Sequence, residues 1–229
     1  MPTAPRSAAT SPSGRIKRSQ GVVEDVYELI RSDIISLRIP PDTRISIDNL
    51  ARELGVSQTP IREALSRLEA TGLVLKEHFV GYCTAPRLTR REFEELYELR
   101  MLLEPDAARF AAERMTDDDL QTIATLAKKM HPGETRKSYN RFAVQDAELH
   151  DLIAAGSGNR LIRDTLARLH THLHIFRLRF HSEVTREAYA EHEKLVTALA
   201  KRKPADAASA MRFHIEKSYR RLKAYADDR

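Results

Sequence analysis

The stretch LARELGVSQTPIREALSRLEATGL, residues 50–73, decides the fold of the first part of the chain. Its first half predicts a short helix that ends at Gly55, because glycine readily adopts the left-handed conformation found at helix C-termini. Ser57 is suited to cap a second helix, and Pro60 falls in its first turn, where a missing N–H costs nothing. The apolar residues that follow at helical spacing are Ile61, Leu65 and Leu68. Two helices joined by a tight turn are therefore predicted.

The flanking residues predict a first helix and a wing. The first helix has apolar residues at helical spacing and stops before Pro40-Pro41: Val22, Val26, Ile30, Ile34 and Leu37. Ile45 and Ile47 flank Ser46 in a short alternating run, and residues 73–75 and 82–84 read as strands around a turn at 79–81. We expect a winged helix-turn-helix domain over residues 21–86, after a disordered basic tail over residues 1–20.

The second helix of this motif has a polar face suited to DNA. In a helix-turn-helix the second helix enters the major groove, so its exposed face carries polar and cationic groups near its start. Gln58 has the two-pronged geometry to pair with adenine, and Arg62 can pair with guanine or phosphate. The predicted DNA-binding residues are Ser57, Gln58, Thr59, Arg62, Arg67, as a contact to the DNA backbone, and Gly81 in the wing. A short amphipathic helix pair without a DNA-binding role is the alternative.

The motif resembles the signature of the GntR family of transcriptional regulators. The resemblance covers LARELGVSQTPIREAL at 50–65 and LEATGL at 68–73. It implies a ligand-responsive regulator, with repression relieved by the ligand as the expected direction. Most members carry Arg where this chain has Gln58, so the resemblance also implies that the base read at this position differs from the commonest family sites.

From Pro86 onward only helical periodicity remains. Turn-forming and helix-breaking residues divide this part into helices, at Pro132-Gly133, Gly156-Ser157-Gly158-Asn159 and Lys203-Pro204. Six are expected, with rough spans of 89–115, 117–130, 136–155, 159–182, 185–201 and 204–226. The predicted fold class is thus mainly α: a winged helix-turn-helix followed by an all-α antiparallel helical bundle over residues 87–229.

Four polar groups fall on apolar helix faces of this second domain. Asp146 and His150 lie one turn apart on the inward stripe of the third of these helices, His192 on that of the fifth and His214 on that of the sixth. A buried carboxylate costs several kcal/mol unless it is paired. Three imidazoles and one carboxylate form a recognised ligand set for zinc or a similar metal. The alternative for each residue alone is a core side chain satisfied by a neighbour.

Residues 88–226 resemble the FCD ligand-binding domain in its six-helix VanR-like variety. Its metal-binding members carry Asp, His, His and His in this order, which implies Asp146, His150, His192 and His214 as ligands. The expected metal is Zn²⁺, with Ni²⁺, Mn²⁺ or Fe²⁺ as alternatives. The cluster His170-Thr171-His172-Leu173-His174 is a weaker candidate, because His172 is expected to point away from the core seam and no carboxylate shares its face.

Arg100 is another polar residue on an apolar face and needs an anionic partner. One reading is an ion pair with Glu104, one turn on; the other is a two-pronged clamp on a carboxylate effector. The resemblance favours the clamp, because an Arg in this Glu98-Leu99-Arg100 context is common at effector sites. Arg163 is a second effector-binding candidate.

Composition sets the remaining limits. The chain has 229 residues and a formal net charge of +5, which is compatible with nucleic acid as a partner. Its single cysteine, Cys83, fits a reducing cytoplasm. No apolar stretch is long enough for a membrane span, and the start of the chain lacks the apolar core of a signal peptide. We expect a homodimer on a palindromic double-stranded DNA operator that senses a small carboxylate-type effector. A metal-sensing repressor and a metal-dependent hydrolase are the alternatives, the latter weakened because no spare inward Glu or His is expected to act as a base.

Overall fold

The computed structural model describes residues 19–169 and 171–226. Most of the predicted tail, residues 1–18, and His170 lie outside these ranges. The N-terminal domain contains three helices and three strands: α1 Ser19–Ile35, β1 Arg44–Ile45, α2 Ile47–Leu54, α3 Gln58–Ala70, β2 Val74–Glu77 and β3 Gly81–Thr84. The winged helix-turn-helix is thereby confirmed.

Local chemistry explains the tight turn between α2 and α3. Ser46 caps α2 by accepting a hydrogen bond from the backbone N–H of Asn49. Gly55 ends α2 with φ +64°, a conformation that glycine adopts without steric cost. The buried side chains of α3, with Ile30 and Ile34 of α1, then form the core of this domain.

The wing is a small antiparallel sheet in the order β1-β3-β2. Ile45 of β1 pairs with Tyr82, and Leu75 of β2 pairs with Cys83 on the other edge of β3. Phe79 lies in the turn between β2 and β3 and is 94% exposed. The wing tip therefore projects from the body of the domain.

The second domain is a helical bundle, as expected. Its helices are α4 Arg90–Arg114, α5 Asp117–Lys129, α6 Arg136–Gly156, α7 Arg160–Leu169, α8 Thr171–Phe176, α9 Ser182–Ala200 and α10 Pro204–Leu222, followed by a short 3-10 turn at Lys223–Tyr225. Capping boxes at Thr89 and Thr116 define the starts of α4 and α5. Ile35 of α1 is part of this second core.

The expected helix over residues 159–182 is too long. The described residues are helical over Arg160–Leu169 and Thr171–Phe176, and α9 begins at Ser182. Leu178 and Phe180 continue the apolar pattern beyond Phe176 without Gly or Pro, so no local signal marks the end of the helical stretch. Arg177, which follows α8, is instead buried and donates to the carbonyl of Ala85.

The two domains are in direct contact through backbone oxygens. The Asn140 side chain donates to the carbonyl of Ser32 in α1 at 2.7 Å. The buried Arg177 guanidinium donates to the carbonyl of Ala85, at the end of the wing. Within the described ranges no helix is both long and apolar enough to cross a membrane.

Candidate functional site

The exposed face of α3 carries the predicted DNA-reading residues. Ser57, Gln58, Thr59 and Arg62 are exposed, whereas Ile61 on the opposite face is fully buried. Ser57 occupies the N-cap position, but its hydroxyl makes no capping hydrogen bond. The structure therefore places these four side chains together on one solvent-facing surface at the start of α3.

Gln58 is already ordered by its neighbours. Its amide nitrogen donates to Asp48 of α2 at 2.5 Å, and its amide oxygen accepts from Arg62 at 3.2 Å. Asp48 therefore positions the side chain that is predicted to read adenine. The sequence pattern did not identify Asp48 as part of this surface.

Arg67 lies on another side of α3 from this surface, and Gly81 lies in the wing. Arg67 is five residues beyond Arg62, about 140° around the helix. Its guanidinium bonds to Glu24 of α1 at 2.9 Å and lies 4.1 Å from the ring centre of Tyr27. Arg67 is thus held against α1, whereas Gly81 is exposed at the start of β3 with φ +101°.

The four predicted metal ligands converge in the core of the bundle. Asp146 and His150 project from α6, His192 from α9 and His214 from α10, and all four are buried. One ligand atom from each lies within 4.8 Å of the others. His192 Nε2 is 3.4 Å from Asp146 Oδ1.

The cluster contains polar atoms that the described protein atoms do not satisfy. His150 Nε2 and both ring nitrogens of His192 are buried without a hydrogen-bond partner in the described structure. Each buried polar atom that is left without a partner lowers the free energy of unfolding by roughly 1–3 kcal/mol. A bound divalent cation would satisfy ring nitrogens and use the negative charge of Asp146, so the donor set fits a transition metal.

Two buried carboxylates orient the imidazoles. His150 Nδ1 donates to Glu104 at 2.6 Å, and His214 Nδ1 donates to Glu191 at 2.8 Å. A carboxylate can only accept here, so both rings carry their proton on Nδ1 and keep Nε2 as a lone-pair donor. This is the outer-shell arrangement that typically orients histidine ligands in metal sites.

His172 contradicts its expected orientation. Its Nδ1 donates to Asp146 Oδ2 at 2.8 Å, and with Glu104 and His150 it forms a second group of ligand atoms within 4.8 Å. The prediction was wrong because the apolar stripe of one helix does not show which polar side chains a neighbouring helix, here α6, brings into contact with it. His174 is half-buried, and its Nε2 would lie 3.4 Å from a Cβ atom at Gly72.

The expectation that no spare inward Glu or His exists was also wrong. Glu104, Glu191 and His172 all contact the cluster. The sequence indicated Glu104 only as a possible partner of Arg100. Nothing in the sequence pointed to Glu191, because it lies about 100° around α9 from the apolar stripe that contains His192.

Burial and neighbouring charges adjust the protonation of the cluster. Burial and the adjacent His214 lower the pKa of His192, and burial and His150 lower that of His214. Burial lowers the pKa of His172 to about 4. Burial would raise the pKa of Asp146, but the hydrogen bond from His172 and the nearby imidazoles hold it below its usual value. The cluster thus combines the carboxylate of Asp146 with imidazoles at His192 and His214 that favour the neutral form, which is the form that binds metal.

The two predicted effector-binding arginines are both engaged by carboxylates. Arg100 is 1% exposed and bonds to Glu104 at 2.6 Å, the ion pair that the sequence offered as the alternative to a clamp. Arg163 bonds to Asp151 at 2.9 Å on the surface of the bundle. Arg100 borders a void of about 20 Å³, which is too small for an organic acid. A clamp by Arg100 would require this ion pair to break.

A larger cavity lies beside the cluster. It has a volume of about 360 Å³, and His150, His172 and Glu104 form the part of its wall next to the cluster. Apolar side chains, among them Val144 and Leu166, line another part. Its size and mixed lining are those of a small-molecule site.

Comparison with known proteins matches both parts of the chain. Residues 22–82 match the family described as bacterial regulatory proteins, gntR family, and residues 95–217 match the FCD domain. The chain is 30% identical over 186 residues to the Nta operon transcriptional regulator of Aminobacter aminovorans, covering 81% of this chain and 87% of that protein.

Two further comparisons agree with this pattern. The chain is 30% identical over 197 residues to the HTH-type transcriptional regulator LutR of Bacillus subtilis, covering 77% of this chain and 89% of that protein. The solved structure of Escherichia coli McbR/YncC superposes with a TM-score of 0.66 at 21% identity, covering 89% of this chain and 97% of that chain. The structural likeness supports the fold.

Proposed function

This chain belongs to the gntR family of bacterial regulatory proteins, as a DNA-binding transcriptional regulator with an FCD domain, and we propose that it is a repressor controlled by a small organic acid. It binds a palindromic operator as a homodimer, and a buried transition metal in the bundle forms part of the effector site. The exposed face of α3 supports operator binding, and we infer that the acid, when bound, releases the operator.

The observation that carries the metal proposal is the set of unpartnered nitrogens in a cluster with one carboxylate. His150 Nε2 and the ring nitrogens of His192 have no hydrogen-bond partner among the described residues, while Glu104 and Glu191 hold His150 and His214 by Nδ1. Asp146, His150, His192 and His214 would hold Zn²⁺, with Ni²⁺, Mn²⁺ or Fe²⁺ as alternatives. When bound, the metal would supply a Lewis-acidic positive charge beside the effector cavity.

Elemental analysis combined with thermal unfolding tests this proposal. We expect about one equivalent of a transition metal per chain, and a melting temperature that falls with chelator and recovers with zinc, because a ligand of the folded state stabilises it by mass action. His192→Ala should abolish the response to zinc, and His131→Ala, at an exposed histidine, should retain it. Absence of metal together with a melting temperature indifferent to chelator and zinc would refute the site.

Operator selection and sedimentation test the DNA-binding half. Sites recovered from a randomised pool should be palindromic, and the protein should sediment as a dimer, since symmetric half-sites reflect two-fold symmetry. Zinc titration of operator affinity without an organic acid separates this function from a metal-sensing repressor. If zinc changes operator affinity strongly in the absence of an organic acid, the metal itself is the signal.

A further inference from the structure

The wall of the 360 Å³ cavity includes a residue from the DNA-binding domain. Arg31, on α1, lines the cavity together with His150 and His172 of the bundle. Its side chain is only 18% exposed. The cavity is therefore shared between the two domains, with the predicted metal cluster at one side and a guanidinium from α1 at another.

Arg31 is the only Arg or Lys among the described residues that line this cavity. The two acidic lining residues already have partners, since Glu104 pairs with Arg100 and Asp151 pairs with Arg163. The rest of the lining is largely apolar. This distribution favours a ligand with an apolar body and one anionic group.

The present partner of Arg31 is weakly held. Arg31 pairs with Glu28, three residues earlier on the same helix, whose side chain is 48% exposed. Exposed ion pairs of this spacing contribute only about 0.2–0.5 kcal/mol. An anionic group in the cavity can therefore replace Glu28 at small cost.

We propose that Arg31 binds the carboxylate of an amphipathic organic acid in this cavity, so that the ligand joins the bundle to the DNA-binding domain. The inference rests on the proposed ligand-responsive function and names the residue by which the ligand acts on α1. Helix α1 also contacts the reading helix, because Glu24 and Tyr27 hold Arg67 of α3. A ligand bound to Arg31 thus acts on the helix against which α3 packs.

Titration calorimetry of the zinc-loaded full chain tests this assignment, with hexanoate as the probe and hexanamide as its uncharged counterpart. We expect hexanoate to bind at least tenfold more tightly than hexanamide. Arg31→Gln should weaken hexanoate binding roughly ten- to hundredfold, since a charge-assisted hydrogen bond contributes about 1.5–3 kcal/mol. Glu28→Gln should strengthen it by removing the competitor. Arg38→Gln, at a 73% exposed side chain, is the matched control and should bind as the wild type does.

The zinc-induced shift in melting temperature, measured on every variant, separates this inference from the metal proposal. Retention of that shift in Arg31→Gln with loss of hexanoate binding supports the assignment. Equal affinity in the wild type, Arg31→Gln and Glu28→Gln overturns it, as does a wild type that does not distinguish hexanoate from hexanamide. If zinc has no effect on the wild type, the metal proposal fails, while the dependence of hexanoate binding on Arg31 still decides this inference.

Discussion

At the residue scale, the reading surface depends on a small set of exposed polar side chains rather than on buried ones. Arg62 is exposed on α3 and contacts only Gln58 among the hydrogen-bonding partners described. We therefore expect its removal to affect DNA recognition and to leave the packing of the core unchanged.

We expect Arg62→Ala to weaken operator binding by roughly 1–3 kcal/mol, the usual value of a base contact by arginine, and to leave the melting temperature unchanged. A gel-shift titration with a selected operator measures this. Arg160→Ala removes a 90% exposed arginine from the bundle and should leave affinity unchanged. Equal affinity for Arg62→Ala and the wild type would remove Arg62 from the interface.

Glu104 is the carboxylate on which two other buried groups depend. It accepts from His150 and pairs with Arg100. Glu104→Gln leaves Arg100 buried without its counter-ion, and we expect a loss of about 3–5 kcal/mol in the free energy of unfolding. Zinc affinity should fall about ten- to hundredfold, as for other outer-shell ligands.

Urea unfolding and competition with a chromophoric zinc chelator measure these two effects. The control is Glu98→Gln, an exposed glutamate on the same helix, which should change neither quantity. A Glu104→Gln protein with unchanged zinc affinity would show that Glu104 does not orient His150.

The metal-free protein should lose stability in mild acid. Burial lowers the pKa of His192 and His214, and it lowers that of His172 to about 4. In the unfolded chain these imidazoles bind protons near pH 6.5, so the unfolded state binds more protons below that pH. The free energy of unfolding should therefore fall below pH 6.5, by up to about 1.4 kcal/mol per pH unit for each histidine that stays neutral when folded.

Urea midpoints of chelator-treated protein at pH 7.5, 6.5 and 5.5 measure this slope. His131→Gln alters an exposed histidine and should show the wild-type slope. A profile that is flat over this range would contradict the neutral, buried state of the cluster.

At the scale of secondary-structure elements, sequence periodicity predicted most of the helices. The helices α5, α6 and α10 begin within a residue of their expected positions because caps and Pro204 mark their starts. The end of the helical stretch at Phe176 was missed because no Gly or Pro marks it.

The same distinction applies to the cluster. The convergence of the four predicted ligands could be anticipated because each lies on an apolar stripe of its own helix. Glu191 and His172 could not be found in this way, since their contacts depend on how α6, α8, α9 and α10 pack. A pattern within one helix contains no information about that packing.

The connection into α6 has little space for an added methyl group. A Cβ atom at Gly133 would lie 2.4 Å from the Cα atom of Tyr139. The backbone N–H of Gly133 also donates to the hydroxyl of Thr185 in α9 at 2.8 Å. We expect Gly133→Ala to destabilise the protein by about 1–3 kcal/mol, because the clash is with backbone.

Urea unfolding measures this loss, with Gly21→Ala on α1 as the control. A Cβ atom at Gly21 has no neighbour within 4 Å, and alanine there should raise stability by about 0.5–1 kcal/mol. Equal stability of the two variants would contradict this account of the connection.

At the scale of the whole molecule, α1 belongs to both domains. Ile34 is fully buried in the core of the DNA-binding domain, and Ile35 is fully buried in the core of the bundle. We expect a single unfolding transition by calorimetry for the wild type. Ile35→Ala should lower stability by about 2–5 kcal/mol and separate the transition into two, because it removes the shared core contact.

The control is Val22→Ala, a partly exposed position on the same helix, which should leave one transition. An Ile35→Ala protein that still unfolds in one step would show that the polar contacts between the domains suffice to couple them.

The successive positions of Ile34 and Ile35 also limit how α1 can move. Adjacent residues project about 100° apart around a helix, so rolling α1 about its axis would withdraw one of the two side chains from its core. Of the remaining rigid-body motions, a translation leaves the orientation of α1 unchanged. We therefore expect a displacement that begins at the bundle to carry the reading helix sideways across the groove instead of turning it within the groove.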